Sequence, residues 1–128
     1  MRNLNNKIER TEEQILFEKE MGKWLRKTRL SNIKINPLTK KSMPVVTQSK
    51  LAKHLGVSFQ QIQKYESGSN ALGLFKFRQC CVFFNTDPRD VLETIDVEMW
   101  NIFFNILLLV NFYNWVLFLI PHFNIYNF

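Results

Sequence analysis

Five side chains between residues 58 and 68 could do chemistry together: Phe59, Gln60, Gln63, Lys64 and Ser67. Their spacing of three and four puts them on one side of a helix. A carboxamide presents a donor and an acceptor in one fork, which suits the edge of a base; a lysine adds a point charge. That side carries amides and a cation but no acid, a surface suited to a polyanion. Something must hold it in place, and the neighbouring residues predict what. Thr47 is a good N-cap for a preceding helix whose buried face is Leu51, Ala52 and Leu55. Gly56 stands where the chain must leave that helix at positive φ. Val57 drops into the core, Ser58 caps the second helix, and Gln61 completes a capping box. Ile62 and Tyr65 face inward, and Gly68 ends the helix. The reading is two short helices joined by a tight glycine turn.

Charge agrees. The 128-residue chain has a formal net charge of +6, which favours an anionic partner. Residues 21–65 hold ten cations and no Asp or Glu; the acids lie before and after that span. A basic face alone is often just solvated, but joined to the two-helix pattern it points to nucleic acid. The length suits one small domain with extensions.

The run Thr47-Gln48, Leu51-Ala52, Leu55-Gly56-Val57-Ser58 and Gln60-Gln61-Ile62-Gln63-Lys64-Tyr65-Glu66 before Gly68 resembles the helix-turn-helix of the Cro/C1 (phage-repressor, XRE-like) family of DNA-binding regulators. The whole run is specific, and the likeness extends more loosely from residue 22 to 95. The resemblance implies an all-α fold, a five-helix repressor-like domain with its helix-turn-helix at 48–67. It implies double-stranded DNA as partner and a homodimer on near-palindromic sites. It implies a DNA-contact set of Gln48, Ser58, Phe59, Gln60, Gln63, Lys64 and Ser67. Gln48 contacts a phosphate and braces the recognition helix. Gln60 pairs with adenine, and Phe59 meets a thymine methyl or packs locally. Lys64 reads guanine or neutralises a phosphate. The structural residues are Ala52 at the helix crossing, Gly56, Ile62, and Glu66 paired by resemblance with Arg26 of the first helix.

Along the rest of the chain, residues 1–10 form a frayed arm. Thr11-Glu12-Glu13-Gln14 opens a helix with acids in its first turn, and Arg26, Lys27 and Arg29 crowd its end near Leu30. Residues 31–46 depart from the family. The link to Thr-Gln is about a dozen residues longer than usual, an insertion that costs little entropy. Pro37 and Pro44 mark it as a loop, and its lysines make it either a basic flap on phosphates or a tolerated insertion. A fourth helix is expected over 70–85 and a short fifth from Asp87-Pro88 through Ile95. Ala71 and Gly73 stand where the family carries a phosphate-binding Arg and a cap. The domain is thus read as 11–96.

Composition changes abruptly at Met99, after which there is no Asp, Glu, Lys, Arg, Gly or Ala. Residues 100–120 are long enough to cross a bilayer. Fourteen of them are Leu, Ile, Val or Phe, worth about −6 kcal/mol on an insertion scale, which Asn101, Asn105, Asn111 and Asn114 oppose. Three readings of the tail 97–128 stand: a membrane anchor, an oligomerisation helix, or an unselected end translated from A/T-rich codons.

Catalysis and metal binding find no support. His54 and His122 lie in unrelated contexts, the serines carry no nucleophile signature, and no cofactor motif is present. Cys80 and Cys81 are adjacent, a poor disulfide and no zinc site, and are read as small packed hydrophobes. The expectation is a non-enzymatic, cytoplasmic transcription regulator with a possible inner-membrane tether. Its alternatives are a membrane-tethered module using such a head for protein contacts, and an antitoxin-like regulator.

Overall fold

A computed structural model of the chain describes residues 9–31, 33–35, 38–40 and 42–123. The expectations for residues 1–8, for Asn36, Pro37 and Lys41, and for 124–128 lie outside the described residues. The described elements run α1 (Glu12–Ser31), β1 (Ile33–Ile35), β2 (Ser42–Pro44), α2 (Gln48–Leu55), α3 (Phe59–Glu66), α4 (Leu74–Phe84) and α5 (Pro88–Phe123). The chain falls into two compact units, Met1–Ile95 and Asp96–Phe128.

In the first unit the helices follow their caps. Thr11 Oγ1 accepts from Gln14 N at 3.1 Å, so α1 begins with its acids at the positive end of the helix dipole. Its buried residues include Glu18, Met21, Gly22, Leu25 and Arg29, a stripe at helical spacing. Leu25, Val46, Leu51, Ala52, Leu55, Ile62 and Cys80 form the core, with Trp24, Val57, Tyr65, Leu72 and Phe84 against it. Trp24 meets Phe77 edge-on at 5.7 Å. Three turns leave their helices through a left-handed residue: Gly56 (φ 65°), Gly68 (φ 71°) and Asn85 (φ 52°). In each, the next N–H reaches back five residues: Val57 to Ala52, Ser69 to Lys64, Thr86 to Cys81. This closure satisfies carbonyls that a helix end leaves open.

Three sequence expectations change. The insertion is not all loop: β1 and β2 pair antiparallel, with Lys34 opposite Met43. Isoleucines favour this extended backbone, and Lys40 turns at φ 55°. The fourth helix starts at Leu74, four residues late, after Gly73, which is its N-cap in extended backbone and makes no side-chain cap bond. The fifth does not stop after Ile95. No Gly or Pro interrupts residues 89–120, so nothing breaks the helix until Pro121 lies in its last turn. Asp87 starts it by accepting from Arg89 N at 2.8 Å. The Arg89 side chain bonded to that carboxylate holds it below its usual range. Val91 and Ile95 are buried.

Candidate nucleic-acid interface

The two short helices are set by their ends. Thr47 accepts from Lys50 N, and Ser58 from Gln61 N, each at 3.1 Å. Both caps have extended backbone, and both hydroxyls satisfy a first-turn donor. Leu51, Ala52 and Leu55 turn inward from α2, and Ile62 from α3 is fully buried. With that side of α3 in the core, its opposite side must face out. Phe59 (41% exposed), Gln60, Gln63 and Lys64 are all exposed, as are Ser58 and Ser67 at its ends. Lys50 and Lys53 on α2 are exposed as well. The structure thus brings the seven sequence-selected residues to α3 and the start of α2.

Three of the seven are engaged within the domain. Ser58 caps α3. The Ser67 hydroxyl donates to Lys64 O at 3.1 Å and lies 3.0 Å from the Ser69 hydroxyl. Gln48 is half-buried, and its Nε2 donates to Glu66 Oε2 at 2.7 Å. Its side chain therefore spans from the start of α2 to the end of α3 and braces the two helices.

Glu66 is the acid of α3, and it points inward. Its partner is Arg29, not Arg26. Arg29 Nε lies 2.6 Å from Oε1 and Nη2 3.0 Å from Oε2, a two-pronged pair whose side chains are 7% and 3% exposed. Arg29 Nη1 also reaches Val46 O at 3.4 Å. The expected Arg26 is exposed on α1. The physical reason is helix phase: Gly22, Leu25 and Arg29 share one side of α1, and Arg26 is turned about 100° away from Leu25.

Gly22 sets that phase, and the sequence reading missed it. A Cβ there would lie 2.5 Å from Tyr65 O and 2.7 Å from Glu66 O. The α1 backbone thus crosses the end of α3 in direct contact. The signal was available: a glycine inside a helix costs roughly 1 kcal/mol against alanine, so it needs a packing reason. Lys76 was missed too. Its Nζ donates to Leu55 O, the last carbonyl of α2, a cation where the helix dipole favours one. His54 is exposed and lies against Phe83, the two rings tilted by 38° with centroids 4.4 Å apart. Cys80 and Cys81 are free and buried. Burial, with Cys81 adjacent, pushes the Cys80 thiol up to about 12, although Lys76 opposes the shift.

A family model described as helix-turn-helix matches residues 46–91. An HTH-type transcriptional regulator of Sinorhizobium medicae (strain WSM419) is 39% identical over 46 residues, which cover 36% of this chain and 33% of that protein. A protein of the same description from Rhizobium meliloti (strain 1021) matches to the same extent. The chain spans about a third of the length of these curated relatives. The α2–turn–α3 geometry and these matches cover the same residues, and over 46–91 the chain is similar to helix-turn-helix regulators of the Cro/C1 (XRE-like) type.

Proposed function

We infer that residues 11–96 bind double-stranded DNA sequence-specifically on the cytoplasmic side and that the chain is a non-enzymatic transcription regulator of repressor type. The carrying observation is the exposed row Phe59, Gln60, Gln63 and Lys64, with Glu66 turned inward onto Arg29. The carboxylate that would repel phosphate is removed from the surface and its charge is balanced. With α3 in the major groove, Gln60 forks onto adenine, Lys64 meets a guanine or phosphate, and Phe59 a thymine methyl. The amide of Gln48 serves as the brace, so the start of α2 meets phosphate through its free backbone N–H groups. Two copies would sit on half-sites about one helical turn apart.

Selection of bound sequences from a random duplex pool tests this. A consensus should emerge. Gln60→Ala should lower discrimination at one base pair by roughly 1–3 kcal/mol. If Lys64 meets phosphate, Lys64→Ala should weaken all sequences alike and flatten the salt slope by about one unit. Binding indifferent to both substitutions would refute the interface. The acid-free face separates this reading from a head that docks another protein.

A further inference from the structure

We propose that residues 100–120 of α5 span a lipid bilayer and hold the helix-turn-helix domain at its cytoplasmic surface. This inference is independent of what that domain binds. The helix is continuous through Phe123. At 1.5 Å per residue its 21 residues from Trp100 reach about 31 Å, the thickness of a hydrocarbon core. It is long and apolar enough to cross a membrane, and its most apolar stretch buries nothing.

What should cover it follows from how the apolar residues are distributed. A helix that packs on one protein partner shows a stripe and keeps a polar side for water. Here Leu107, Leu108, Leu109 and Val110 are consecutive and all exposed, and at about 100° per residue they cover every side. The asparagines do not restore a polar side. Asn101 and Asn105 share one direction and Asn111 and Asn114 another, about 240° further round from Asn105 to Asn111. Only a solvent that is apolar all round meets such a surface, and lipid is that solvent. The backbone of a helix needs no partner there, since its hydrogen bonds are internal.

The ends fit the same placement. Trp100 opens the span, where an indole favours the headgroup level, and the acids Asp96 and Glu98 lie just outside it. All seventeen Lys and Arg stand at or before Arg89, and residues 90–128 have none. Within the roughly 20 residues that set orientation, Arg89 is the cation before the span and residues 121–128 carry none, a one-charge bias that puts the first compact unit on the cytoplasmic side.

Flotation of the full chain with vesicles of three parts phosphatidylethanolamine to one part phosphatidylglycerol tests the inference. The protein should float with the vesicles and resist alkaline carbonate. Chymotrypsin added outside should spare the aromatic and leucine sites of residues 100–120 in the vesicle-bound chain, although those side chains are exposed in the protein itself. The double substitution Leu108→Arg, Leu109→Arg should cut partition about a hundredfold or more, with the near-ultraviolet dichroism of the domain unchanged. Three results would overturn the proposal: a full chain that stays in the aqueous phase as a discrete oligomer, one that pellets equally with and without vesicles, or a double variant that still resists carbonate.

Discussion

Arg29→Ala is the sharpest perturbation of the interface, although Arg29 is not on it. The substitution leaves Glu66, whose side chain is 3% exposed, with the Gln48 amide as its remaining side-chain donor among the described residues. Removing one member of a buried ion pair costs roughly 3–5 kcal/mol, because the other charge stays desolvated. For a domain of this size each kcal/mol moves the melting temperature by about 4–8 °C, so the loss should be at least about 12 °C. Arg26→Ala removes an exposed cation and should cost no more than about 0.5 kcal/mol. The assay is thermal unfolding of the full chain in mild detergent, followed by near-ultraviolet dichroism, on wild type and both variants. Adding Glu66→Gln to Arg29→Ala should recover part of the loss, since a neutral amide is cheaper to bury than a lone carboxylate. Equal melting of Arg29→Ala and wild type would show that the pair does not hold α1 to α3. So would an Arg26→Ala variant that falls as far.

Other expectations concern packing and pH. Gly22→Ala puts a methyl 2.5 Å from the Tyr65 carbonyl. It should destabilise by roughly 1–3 kcal/mol, measured by urea titration, even though alanine is the better helix former. Ala52→Leu at the 4%-exposed helix contact should overpack by a similar amount, roughly 1–3 kcal/mol, and lower melting temperature and DNA affinity together. Burial raises the Cys80 thiol from 9.0 to about 12. The folded state therefore favours the neutral thiol. Its contribution is complete below pH 9 and declines as pH rises towards about 12. Stability should fall over that window, and Cys80→Ala should flatten the fall; an unchanged alkaline slope would count against the assignment.

What the sequence made legible was local chemistry. Thr47, Gly56 and Ser58 act within a few residues of themselves, so their types state their roles before any fold is known. The core positions Leu51, Ala52, Leu55 and Ile62 followed from periodicity. What stayed hidden depended on distant chain. Arg26, Lys27 and Arg29 look alike in a basic run, and only the crossing at Gly22 decides which of them meets Glu66. The ribbon after α1 has three residues per strand, too short for an alternation to show. The end of α5 was misjudged because the change in composition at Met99 suggested a break, whereas helices end where a cap or breaker ends them. The candidate contact face was legible for the same reason as the caps: it follows from which side of α3 the core residues occupy.

The tie between Arg29 and Glu66 also bears on how this chain can change by descent. The family match begins at residue 46, so Arg29 stands outside it, yet Arg29 balances the buried charge of Glu66, which lies within it. A lineage that lost either partner first would pass through a form with a lone buried charge, and so the two positions should vary together or stay fixed. The ribbon lies between them in the chain, and loops are where insertions and exchanges are best tolerated. A recombination event there would separate the partners. The hybrid would fold only if the incoming first helix carried an arginine two turns beyond its own crossing glycine.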